Sequence, residues 1–108
     1  MKIAHSAMAL AFCALAAPTL THAQTGAQAA LYTRGLAATC ANCHGTDGRA
    51  VAGSSVVSIA GLDKAYIVEQ LKAFKAGTKP ATVMHQLSKG YSDAQIDLLA
   101  GYFAAQKK

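Results

Sequence analysis

The sequence predicts a small all-α protein with long loops. Three stretches place apolar residues at helical spacing, several open on a capping pattern, and no segment alternates as a strand. The chain has 108 residues and a formal charge of +5. Lys2 opens a short positive region, Ala7 to Ala17 is apolar, and Thr21-His22-Ala23 fits a small-residue cleavage site. Residues 1–23 therefore read as a secretory signal peptide, with residues 24–108 as the working domain. The apolar run is shorter than the about 20 residues a membrane span requires, so an uncleaved anchor is the lesser alternative and no span remains after cleavage. Removing residues 1–23 takes one lysine and no acid, leaving 85 residues at +4. That length excludes two domains and a large enzyme, and a core of that size needs a staple.

The elements follow in order. Thr25 and Gln28 form a capping-box pattern ahead of a helix over roughly Gly26 to Thr39. Gly45 to Gly61, rich in Gly and Ser, reads as a loop wrapped around something. Asp63 caps a helix from Lys64 to Ala76, with Tyr66, Ile67, Gln70, Leu71 and Phe74 recurring at helical spacing and Gly77 as its stop. Thr78 to Gly90 holds Pro80 and Met84, and Lys79 to Met84 reads as a stiffened loop. Ser92 and Gln95 make another capping box, opening a helix to about Gln106 with Ile96, Leu99, Ala100 and Phe103 on one stripe.

Cys40-Ala41-Asn42-Cys43-His44 matches Cys-x-x-Cys-His, the attachment signature of c-type haem. Residues three and four apart share a helix face, so both thiols can add to the vinyl groups of one porphyrin while His44 addresses the iron. The alternatives fit poorly. A zinc site needs four ligands and the mature chain has Cys40, Cys43, His44 and His85 spread over two segments; a thioredoxin-like motif needs a βαβ context; a disulfide this short closes too small a loop to stabilise much. For the second axial ligand only Met84 and His85 remain, and Met84 is favoured, with His85 as a solvated neighbour and an open gas-binding site as the alternative. Tyr66, Ile67, Leu71, Phe74, Val83, Leu87, Tyr91, Leu98 and Leu99 are candidates for the pocket and core. Tyr66, Gln70 and Arg49 are candidates to reach a haem propionate. Lys64, Lys72, Lys75, Lys79 and Lys89 flank the middle helix and the Met84 loop, and such a basic ring would steer an acidic partner. Nothing resembles a nucleic-acid motif.

From Gln24 onward the chain resembles class I cytochromes c in its order of helix, Cys-x-x-Cys-His, loop, helix, Met loop and helix. Gly61-Leu62-Asp63-Lys64-Ala65-Tyr66 through Gly77, Pro80-Ala81-Thr82-Val83-Met84, Lys89-Gly90-Tyr91-Ser92 and Ala100-Gly101-Tyr102-Phe103 are similar to the cytochrome subunit of flavocytochrome c sulfide dehydrogenases and its dihaem relatives. The resemblance implies a fold of three to five helices around one covalent haem c, held by Cys40 and Cys43 and ligated by His44 and Met84. It would place Gly35 and Gly101, which lie inside helices, at a close crossing of the first and last helices. It implies a periplasmic electron-transfer protein rather than an enzyme. Its expected donor is a separate FAD-bearing subunit that oxidises sulfide, and a downstream acceptor takes the electron onward. A free-standing shuttle to a terminal oxidase and a subunit of another exported dehydrogenase are the alternatives. Two departures stand out. Some relatives carry two haem domains where this chain has one motif, and Val57 stands where the family tends to place a proline whose carbonyl accepts the axial histidine's Nδ1–H.

Overall fold

The computed structural model describes the backbone of residues 17–108 and the side chains from 25 onward. Most of the expected signal peptide, residues 1–16, lies outside the described residues. The chain divides into two compact units at Leu31/Tyr32. The first contributes the leading part of helix α1, Ala17–Ala38; the second holds the end of α1 and all later elements. These are α2 (Ala41–His44), a 3₁₀ turn at Thr46–Gly48, α3 (Lys64–Ala76), α4 (Met84–Lys89) and α5 (Asp93–Ala104). Among the described residues there is no strand, as the sequence predicts, and no helix is long and apolar enough to cross a membrane.

Helix α1 begins well before the predicted start, so Thr25 lies inside it rather than at its N-terminus. The extension has a local reason: an alanine-rich stretch propagates a helix well. Helix α3 has the predicted bounds. The Asp63 side chain accepts the Tyr66 N–H at 2.9 Å, and the Gly77 N–H closes the far end on the Ala73 and Phe74 carbonyls. Helix α5 carries both bonds of its capping box: Gln95 N–H donates to Ser92 Oγ at 3.2 Å, and Ser92 N–H to Gln95 Oε1 at 2.9 Å. Helix α4 is an element the sequence reading does not anticipate, beginning where the Lys79–Met84 loop ends. Six residues from Met84 form it with no side-chain cap at Val83, so neither periodicity nor capping chemistry announces it.

The core gathers Ala37 at the end of α1, Ile67 of α3, and Leu99, Ala100 and Phe103 of α5. Ile96 of α5 is also fully buried, whereas Leu98, which lies off the α5 stripe, is 41% exposed and is not a core residue. Gly35 and Gly101 mark no close helix crossing. A Cβ at Gly35 would meet open space, and one at Gly101 only the end of the Lys64 side chain at 3.9 Å.

Close approach occurs instead in the loop after α2. Gly45 adopts φ 79°, ψ 164°, a region essentially reserved for glycine, and a Cβ there would lie 1.8 Å from the Arg49 carbonyl oxygen. The Gly48 carbonyl then accepts three donors: Ile59 N–H at 2.8 Å, Ala60 N–H at 3.1 Å and Ser58 Oγ at 2.9 Å. The Gly61 N–H donates to the Phe103 carbonyl at 2.8 Å, and Tyr102 Oη donates to Asp47 Oδ1 at 2.5 Å. The loop is thus folded on itself and pinned to α5.

Substituting Gly45 with alanine should cost about 2–4 kcal/mol, because the left-handed conformation and the carbonyl clash add; the urea midpoint should fall at an unchanged slope. A second expectation concerns acid. The Lys75 ammonium, bonded to Asp93 at 2.9 Å, and Lys72 at 3.8 Å hold the Asp93 carboxyl below the usual aspartate range. A lowered folded pKa contributes stability that is complete at neutral pH and is lost as pH falls from the ordinary aspartate value, about 4, through the lower folded one. The stability difference between the native chain and Asp93→Asn should shrink over that window when urea midpoints are followed against pH.

Candidate functional site

A cavity of about 460 Å³ opens within the second unit. Volumes of this order hold small-molecule and cofactor ligands. The α1–α2 junction supplies Thr39, Cys40, Cys43 and His44. The pinned loop supplies Val56, Val57, Ile59 and Leu62, and α3 supplies Tyr66, Ile67, Gln70, Leu71 and Phe74. Lys79, Thr82, Val83, Met84, Leu87 and Tyr91 come from the segment around α4, and Leu99 and Phe103 from α5. All four residues expected to hold a haem, Cys40, Cys43, His44 and Met84, therefore line one mostly apolar space.

Helix α2 is a single turn whose purpose is spacing. Cys40 stands at its N-cap, the His44 N–H donates to the Cys40 carbonyl at 2.9 Å, and Gly45 ends it. Both thiols are free. Burial is the main cause that pushes the Cys40 thiol up, the nearby Cys43 adds to it, and the Thr39 hydroxyl opposes it. No three His, Cys, Asp or Glu among the described residues are grouped to hold a metal ion, which leaves the zinc alternative without a ligand set.

His44 Nδ1 lies 2.7 Å from the Val57 carbonyl oxygen. A carbonyl only accepts, so Nδ1 is the nitrogen that donates, which in the neutral tautomer leaves the Nε2 lone pair available to ligate. Valine in place of proline thus preserves the bond, since the interaction uses a backbone group that any residue provides. Such a bond orients a ligating ring and raises its basicity.

Met84 is half-buried at the start of α4 and lines the cavity. His85 does not line it and is not a solvated neighbour: it is half-buried, and its Nδ1, like Ser88 Oγ on the same helix, is shut away from water without a partner. A thioether sulfur, two thiols three residues apart, a histidine with Nε2 free and an apolar lining form a donor set that fits a c-type haem.

Of the propionate candidates, Tyr66 and Gln70 line the cavity and Arg49 does not. Arg49 donates from Nε to the Lys107 carbonyl at 2.9 Å and lies 3.6 Å from Asp47. The basic ring is largely paired off, Lys64 with Asp97 at 2.9 Å, and Lys72 and Lys75 with Asp93. Among the lining residues, Thr39 has no role in the sequence reading, Tyr91 enters it only as a pocket and core candidate, and Lys79 only as surface charge. Thr39 and Tyr91 are joined at 2.7 Å, and because the Thr39 hydroxyl proton goes to the Leu36 carbonyl at 2.7 Å, Tyr91 Oη must be the donor.

Among curated proteins, cytochrome c-554(548) of Halomonas halodenitrificans is 32% identical over 72 residues, covering 64% of this chain and 86% of that one. The chain belongs to the cytochrome c family. The cytochrome subunit of sulfide dehydrogenase from Chlorobaculum tepidum is 45% identical to this cytochrome over 74 residues, 68% of this chain and 64% of that subunit. The thiosulfate dehydrogenase electron acceptor of Stutzerimonas stutzeri is 32% identical over 79 residues, 69% of this chain and 37% of that protein. This cytochrome therefore spans about two thirds of the former and little more than a third of the latter. No protein-family model matches the chain. The relatives' names are those of a cytochrome subunit and an electron acceptor, and electron transfer rather than catalysis is the class of work they denote.

The Thr39–Tyr91 bond ties the residue before Cys40 to the segment after α4. In a double-mutant cycle of Thr39→Val and Tyr91→Phe, read by urea unfolding, the coupling should be about 0.5–1.5 kcal/mol; zero coupling would mean that the two hydroxyls are independent.

Proposed function

We propose that this cytochrome is an exported, periplasmic carrier of one covalent haem c that accepts single electrons from a flavoprotein oxidising sulfide. The shared lining of one cavity by Cys40, Cys43, His44 and Met84 supports the haem reading. The 45% identity to a cytochrome subunit of sulfide dehydrogenase supports the choice of donor. In this reading Cys40 and Cys43 would hold the porphyrin by thioethers, and His44 Nε2 and the Met84 sulfur would ligate the iron. The haem supplies one-electron exchange between Fe(III) and Fe(II). The chain's own residues do the rest. The Val57 carbonyl keeps the proton on His44 Nδ1 and fixes the ring's angle. Ile59, Leu71, Leu99 and Phe103 exclude water, and the α4 turn presents Met84. A methionine together with a histidine would raise the haem's reduction potential.

A second reading takes the same haem to a different donor. Two curated relatives are thiosulfate dehydrogenase electron acceptors, at 32% and 35% identity, so a thiosulfate-oxidising dehydrogenase is the alternative partner.

The deciding experiment is capture of the tagged, haem-loaded protein from its native periplasm, with assays for bound FAD and for haem reduction on adding sulfide or thiosulfate. Sulfide-dependent reduction by a co-purifying flavoprotein is expected. Reduction by thiosulfate alone would transfer the assignment to the second reading, and a haem protein captured alone that neither donor reduces would make it a free shuttle. Two variants test the haem site itself. Cys40→Ala with Cys43→Ala should leave all haem extractable by acidified solvent. Met84→Ala should lower the midpoint potential and let ferrous protein bind carbon monoxide, which the native protein should resist.

A further inference from the structure

Lys79 is the one formally charged side chain, histidine aside, among the residues that line the cavity, and no acid lines it. Its surroundings differ from those of the neighbouring lysines. Lys64, Lys72 and Lys75 each reach an aspartate. Lys79 is half-buried; its Nζ donates to Gln70 Oε1 and lies 5.0 Å from the centre of the Phe74 ring. An amide oxygen and a ring face orient an ammonium group without neutralising it. A partly desolvated cation held in that way favours an anion beside it. Gln70 adds a second element: with Oε1 engaged by Lys79, its amide N–H groups remain as donors at the same corner.

We propose that Lys79, positioned by Gln70 and Phe74, pairs with a carboxylate of the haem. This deepens the haem reading and rests on it. Haem brings two carboxylates as its anionic substituents, and the rest of the lining is apolar apart from Thr39, Tyr66, Gln70, Thr82 and Tyr91. Arg49, the other cation considered for this role, is committed to Asp47 and the Lys107 carbonyl. The ion pair lowers the acidity constant's pKa for that carboxylate and keeps it ionised at neutral pH, and the ammonium also offsets its negative charge near the iron.

The test uses haem-loaded protein and follows the propionate methylene signals by proton NMR across pH. In Lys79→Gln one propionate should titrate about one pH unit higher, a tenfold loss of acidity. Lys79→Arg should restore the native value, and Gln70→Leu, which releases Lys79 without removing its charge, should move it in the same direction by less. Lys89→Gln, a charge change outside the cavity lining, should leave it in place. Unchanged propionate titration in Lys79→Gln, or an equal shift in Lys89→Gln, would overturn the pairing while leaving the cytochrome intact. Haem content is scored separately by the pyridine haemochrome spectrum after solvent extraction. If the native protein retains no covalent haem, the proposed function fails, not the role of Lys79 alone.

Discussion

The hydrogen bond from His44 Nδ1 to the Val57 carbonyl is the contact on which the site depends. It fixes the tautomer that leaves Nε2 able to ligate, and it does so from a loop with no regular structure of its own. That loop can hold the carbonyl in place only because it is anchored at both ends. Three donors from residues 58–60 converge on the Gly48 carbonyl, and the Gly61 N–H reaches the Phe103 carbonyl of α5. Gly48 itself is pressed so closely between Ile59 and Phe103 that a Cβ would lie 2.7 and 2.8 Å from them. The orientation of one imidazole is thus linked, through backbone groups, to the packing of the last helix.

That chain of dependence explains what could be read from the sequence. Helices α3 and α5 were legible because their signals are local: Asp63 three residues before Tyr66, and Ser92 three before Gln95, satisfy backbone donors within one turn. Cys40, Cys43 and His44 were legible for the same reason, since one helical turn dictates the spacing. Met84 was reached by elimination, which needs no geometry. Helix α4 was missed because six uncapped residues fall below what periodicity resolves, and Leu98 was misplaced because its hydrophobicity was weighed above its position off the α5 stripe. Thr39 with Tyr91, 52 residues apart, and Lys79 with Gln70 and Phe74 are pairings created by the fold. Composition could nominate Lys79 as a surface charge but could not turn it toward the cavity.

The paired lysines alter the electrostatic argument for docking. Five lysines around the site suggest a positive field, but Asp93 and Asp97 lie within 4 Å of three of them. At physiological ionic strength the Debye length is about 8 Å, so a partner beyond that distance meets these pairs as small dipoles rather than as charges. Asp93 has a second reason to be where it is: it stands in the first turn of α5, where a carboxylate favours the helix dipole, and it bonds Lys75, which also donates to the Tyr91 carbonyl at 2.8 Å. The same ammonium thus braces the α4–α5 connection that carries the Tyr91–Thr39 bond. These lysines serve the internal geometry of the site first. Of the five, Lys89 takes part in none of these pairs and is left to attract a partner at longer range, while short-range affinity comes from the partly exposed cavity rim of Val57, Tyr66, Val83 and Leu87. A carrier that must release each partner after one electron is better served by such a surface than by a dense ring of unpaired charge, because rim contacts without strong ion pairs favour fast dissociation.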